Sequence, residues 1–119
     1  MTAEWSILYS DGSANRYRFH AADDDADAAT FVYEPVTPER SSTGTYSGGP
    51  PRAGRVAGEA LATLWRQVRA LEEAVHLHVA DRGKGTGAFS VTDGDGTRTY
   101  IIARGAELAA FDAFVAALA

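Results

Sequence analysis

The chain is expected to fold as α+β: an antiparallel sheet of about five to six strands with two amphipathic helices packed on one face, in the order ββββ-α-ββ-α. Three observations lead there. Short stretches of alternating apolar and polar residues are joined by turn residues and so pair as hairpins. Two longer stretches carry apolar residues at helical spacing. The helical stretches lie between and after grouped strands, which argues against a parallel sheet of βαβ units.

In chain order, Glu4–Ser10 alternates with Trp5, Ile7 and Tyr9 on one face and reads as a strand. Asp11-Gly12-Ser13 supplies turn chemistry. Arg16–His20 resumes the alternation with Tyr17 and Phe19 inward, leaving Arg16, Arg18 and His20 on a wetter face. The run Asp23-Asp24-Asp25-Ala26-Asp27 is a connector whose like charges repel and keep it solvated. Thr30–Glu34 is a third strand, stopped by Pro35 and Pro38, and Ser41–Ser47 is read as a short fourth. Gly48-Gly49-Pro50-Pro51 punctuates the end of the first half.

From Gly58 to about Ala74, residues Leu61, Leu64, Trp65, Val68 and Leu71 form the stripe of an amphipathic helix. Val75–Val79 is a short strand or an extended connector. Ala88–Thr92 and Arg98–Ala103 are strands joined by a hairpin turn at Asp93-Gly94-Asp95-Gly96. Gly105 breaks the pattern. Glu107–Leu118 is then a second helix with Leu108, Phe111, Val115 and Leu118 in its stripe.

At 119 residues the chain reads as one domain, 1–119. A chain of this size buries roughly two-thirds of the surface its unfolded form exposes, enough for a core without staples. The 45% hydrophobic content is too high for a disordered chain. There is no cysteine, which removes disulfides, thiolate nucleophiles and sulfur-built zinc sites. The net charge of −5 argues against nonspecific nucleic-acid binding, which depends on neutralising phosphates. No basic-then-apolar leader and no long apolar run is present, so no membrane association and a cytoplasmic location are expected.

Two stretches look capable of binding. Residues 82–91 read RGKGTGAFSV. A P-loop needs G-x-x-x-x-G-K-[ST] opening into a helix, whereas this stretch runs into a strand and position 78 is His78. A dinucleotide fingerprint fails as well, because Gly83, Gly85 and Gly87 are spaced by two. In an extended chain those glycines share a bare face to which a neighbour can come close, with Lys84 and Thr86 opposite. In a looped chain their N–H groups, with Arg82 and Lys84, can form an anion-binding nest.

The second stretch is SSTGTYSGG, residues 41–49, rich in hydroxyls. The plain reading of both is conformational, since glycine, serine and threonine turn the backbone unaided. On the functional reading Arg82, Lys84, Gly85 and Thr86 combine with Ser42, Thr43 and Tyr46 in one polar site.

Other signals are weaker. His76 and His78 have the spacing that places two imidazoles on one strand face, but only His20 remains as a third, so no metal is expected. Asp93-x-Asp95-Gly96 opens like a calcium loop, yet the twelfth position is Arg104. No nucleophile elbow is present. No cofactor is expected.

The segments SSTGTYSGG, ALATLW and RGKGTGAFSV together resemble a family of small bacterial proteins with no assigned activity, over roughly Tyr33 to Phe114. The resemblance implies that this architecture stands alone as a complete protein, and it carries no catalytic assignment. The leading expectation is a small non-enzymatic binding domain acting on another protein or on itself as a homodimer through edge strands. The alternatives are an anion-binding domain using loop 82–87 for phosphate or carboxylate, and a small hydrolase or isomerase pairing the Ser/Thr loop with a histidine.

Overall fold

Alternation decides how the sheet is used, because every second side chain of a strand turns to the same face. The computed structural model describes residues 5–12, 15–21, 28–35, 51–81, 83, 85–94 and 96–118. Strands β1 (Ser6–Ser10), β2 (Arg16–Ala21), β3 (Ala28–Glu34) and β4 (Arg52–Ala57) precede helix α1 (Gly58–Glu73). A 3-10 turn (Val75–Leu77), β5 (His78–Val79), β6 (Gly87–Asp93), β7 (Gly96–Ile102) and helix α2 (Ala106–Ala116) follow. The strands form one sheet in the order β4-β3-β2-β1-β6-β7-β5, antiparallel at every pairing.

The α+β class, the antiparallel sheet and the two helices agree with the sequence reading. The described residues hold seven strands rather than five or six. The fourth is Arg52–Ala57, not Ser41–Ser47, which lies outside the described residues. Val75–Val79 divides into a 3-10 turn and a two-residue strand, so His76 and His78 do not share a strand face.

Ile7, Tyr9, Tyr17, Phe19, Phe31, Tyr33, Phe89 and Val91 are all buried on one face of this sheet. Both helices lie there. The Tyr100 hydroxyl donates to the Val68 carbonyl of α1 at 3.2 Å, and Phe111 of α2 meets Tyr9 edge-on at 4.9 Å and Phe89 at 5.1 Å. Fully burying a side chain such as Phe111 contributes about 1.5–3 kcal/mol, and each aromatic contact adds roughly 0.5–1.5 kcal/mol.

Helix α1 leaves one edge strand, β4, and delivers the chain to the other, β5. Crossing six strand spacings requires about 29 Å. A helix of 16 residues supplies about 24 Å, and the 3-10 turn adds the remainder. Among the described residues no helix is long and apolar enough to cross a membrane.

Candidate functional site

The glycine-rich loop is a turn followed by a strand. The Thr86 amide donates to the Gly83 carbonyl at 3.3 Å and its hydroxyl to the same oxygen at 2.8 Å, closing a turn over 83–86. Gly85 has φ of +80°, a left-handed conformation that favours glycine. The extended alternation therefore begins only at Gly87, and Thr86 is buried rather than displayed opposite a bare face. The neighbours that need the missing side chains are now identified. A Cβ on Gly87 would lie 2.7 Å from Tyr9 and 2.8 Å from Leu108, and one on Gly85 would lie 2.8 Å from Arg104 Cδ. Arg82, Lys84, Ser42, Thr43 and Tyr46 lie outside the described residues, so of the expected site residues Gly85 and Thr86 alone are placed.

Gly85 also borders a cleft of about 690 Å³ between the β1–β2 turn, the 83–87 loop and α2. Asp11, Tyr17, Arg104, Leu108 and Asp112 line it. Asp11 is fixed by Asn15, whose backbone N–H reaches one carboxylate oxygen at 3.0 Å and whose side-chain amide reaches the other at 3.1 Å. Asp112 accepts a hydrogen bond from the Tyr9 hydroxyl across the sheet–helix interface. Burial holds the Asp112 carboxyl above the usual carboxylate range, opposed in part by that bond and reinforced by the negative charge of Asp11. Burial, Asp112 and Asp11 likewise push the Tyr9 phenol far above its ordinary value. Tyr17 is pushed up to about 12, mainly by burial.

Asp112 and Tyr9 were not expected as site residues. Tyr9 alternates into the core like its neighbours. Asp112, however, is the one acid in the apolar helical run LAAFDAFVA, past the first turn that holds Glu107, and a carboxylate in that setting needs a partner. That signal was present in the sequence.

The second candidate surface is the opposite face of the sheet, which neither helix covers. The registers place three rows of side chains across β2, β1, β6 and β7: His20–Ser6–Thr92–Thr97, Arg18–Leu8–Ser90–Thr99 and Arg16–Ser10–Ala88–Ile101. Arg55 of β4 projects from the same face beside Thr30, and Val79 of β5 beside Ile101. Leu8, Ser10, Ala88, Ser90, Ile101 and Val79 border a shallow trough of about 430 Å³. Arg18 pairs with Glu34 at 2.8 Å, and both side chains remain largely exposed.

The histidines do not converge. His78 bonds the Leu71 carbonyl through Nε2 at 2.9 Å and stacks on Tyr100 on the helix side, whereas His20 lies four strands away on the open face. Four spacings amount to about 19 Å. Among the described residues no three of His, Cys, Asp and Glu gather as a metal ion requires. Asp93 ends β6, where Arg98 grips its two oxygens at 3.1 and 2.9 Å and also pairs with Glu72 of α1. Compared with known proteins, the chain matches no family model, no curated protein and no solved structure.

Proposed function

We propose that the protein is a non-catalytic binding domain that holds an acidic, amphipathic segment of a partner protein on the open face of its sheet. One observation carries this reading. In a chain of net charge −5, this face presents Arg16 and Arg18 beside Glu34, the acid on it among the described residues, next to a trough walled by Leu8, Ala88 and Ile101. Arginine beside exposed apolar surface suits a partner whose own carboxylates flank apolar side chains. The Arg18–Glu34 pair does not oppose this. An exposed pair of this kind is worth at most about 1 kcal/mol and exchanges readily for a partner carboxylate.

The test uses a Glu/Leu amphipathic peptide titrated into isotope-labelled protein. Amide shifts are expected at Leu8, Ser90 and Ile101, weakening steeply with salt and lost in the Arg16→Glu/Arg18→Glu double variant. Binding that the double variant keeps, or shifts confined to the helix side, would overturn the reading. Light scattering separates self-association, since a dimer indifferent to both substitutions would place the interface at an edge strand instead.

Anion binding at the glycine-rich loop keeps one supporting feature, the Arg104 side chain, which lines the same cleft as Gly85 and whose stem packs against it. Two carboxylates share that cleft and favour a cation in it. A rise in melting temperature with inorganic phosphate would restore the anion reading.

A further inference from the structure

We infer that the cleft between the β1–β2 turn and α2 is a binding site for an alkylammonium group, with the Asp112 carboxylate as its counter-ion and Tyr17 and Leu108 flanking its aliphatic stem. This site lies on the helix side of the sheet and stands independently of the open-face reading.

The geometry starts from Asp112. It is half-buried in the lining of an open cavity of about 690 Å³, and Tyr9 is its only hydrogen-bond donor among the described residues. A carboxylate has about four acceptor positions, so one donor leaves acceptor capacity on a group that lines the cavity. Asp11 has both oxygens occupied by Asn15; it contributes negative potential but not a second free ligand. A divalent metal, which takes six or more oxygen donors or an octahedral shell, is poorly served by one available carboxylate. A primary ammonium needs one carboxylate and polar neighbours, and its methylene stem gains from apolar walls.

The walls have that character. Tyr17 presents an aromatic ring, and Leu108, Ala109 and Ala116 present aliphatic surface. Arg104 is the cation of this lining, and its stem lies over Gly85, where a Cβ would come within 2.8 Å of Cδ. Among the described residues, the charged and titratable groups around this cleft are Asp11 after the end of β1, Arg104 from the segment before α2, the Tyr9 and Tyr17 phenols, and Arg52 of β4, which acts on Tyr17 and donates to the Ala116 carbonyl. Burial disfavours the Asp112 charge, so cation binding is coupled to loss of its proton wherever the carboxyl is still protonated.

The experiment titrates n-butylammonium and, separately, N-acetyl-lysine amide into labelled protein at neutral pH, with butyrate and n-butanol as controls. Millimolar binding of at least one amine is expected, read as amide shifts at Gly85, Gly105 and Asp112. Neither control should shift those residues. Asp112→Asn should weaken binding at least tenfold, and lowering the pH through the Asp112 titration should weaken it in the wild type alone. Ala109→Leu, at an exposed position that fills the cleft without touching the core, should block binding in a normally folded protein. A preference for the free amine assigns the cleft to a small molecule; a preference for blocked lysine assigns it to a polypeptide side chain. Silence with both amines, equal binding by Asp112→Asn, or butyrate binding as well as butylammonium would each overturn the assignment.

Discussion

Gly87 lies so close beneath Tyr9 that a Cβ at that position would sit 2.7 Å from the tyrosine ring. The same atom would meet Leu108 of α2 at 2.8 Å, so β6 and α2 close on each other only because position 87 is bare. Gly87→Ala is expected to destabilise by roughly 1–3 kcal/mol through overpacking. At the edge of the sheet, Gly54 offers the contrast: its Cβ would meet nothing nearer than Phe31 at 4.0 Å. Gly54→Ala should change stability by less than about 0.5 kcal/mol. Thermal unfolding of both variants checks the pair, and equal losses would show that close approach is not what position 87 requires.

Buried phenols make the fold sensitive to alkali. Tyr9, Tyr17 and Tyr100 all titrate above their ordinary value, principally through burial, with Tyr17 near 12. A raised folded value means the neutral form is favoured on folding, so stability is complete below about pH 10 and is lost as pH rises through the folded values. For Tyr17 alone the loss is on the order of 2 kcal/mol by pH 12. Tyr17→Phe should therefore move the alkaline unfolding midpoint upward, followed by circular dichroism with tyrosinate absorbance. An unmoved midpoint would contradict it.

The parts of this structure visible in the sequence were those in which one chain segment reports on itself. Leu61, Leu64, Val68 and Leu71 recur with the helix period because a single face of α1 is buried, and the hairpins β1–β2 and β6–β7 carry both alternation and turn residues. Strand β4, RAGRVA, was not legible. As an edge strand it buries only Val56, with Gly54 and two arginines beside it, so no period-2 apolar pattern survives. The glycine spacing announced a close approach but not its occupants. Tyr9 and Leu108 come from distant segments, and only the sheet order brings them to Gly87. The Tyr9–Asp112 bond spans 103 residues and was hidden for the same reason.

The Asp112 carboxyl carries a pH dependence of its own. Burial raises its folded value above the unfolded one, so the folded state binds the proton more tightly. Its contribution is complete at pH below the ordinary carboxylate range and declines as pH rises through the folded value. Asparagine cannot ionise, yet it can still accept from the Tyr9 hydroxyl. The difference in melting temperature between Asp112→Asn and wild type should therefore grow in favour of the variant from pH 4 towards neutrality. A constant difference across that range would mean that ionisation of Asp112 costs the fold nothing.

Arg52 ties the first edge of the sheet to the end of α2. Its guanidinium lies 4.7 Å from the Tyr33 ring centroid and donates to the Ala116 carbonyl at 3.2 Å. Carbonyls in the last helical turn have no partner within the helix, and a cation there also opposes the negative end of the helix dipole. No basic residue of α2 itself fills this role in its last turn, so the cation comes from β4. Arg52→Met keeps the aliphatic stem but removes both the donor and the charge, for an expected cost of roughly 1 kcal/mol. The loss should be local. Hydrogen exchange is expected to accelerate at the amides of Ala117 and Leu118, which bond Phe114 and Val115, and to stay unchanged at the centre of α1. Arg52→Lys should recover part of the protection, because the charge returns without the planar donor pair. Uniform acceleration over the whole sheet would instead show that Arg52 supports the global fold rather than this helix end.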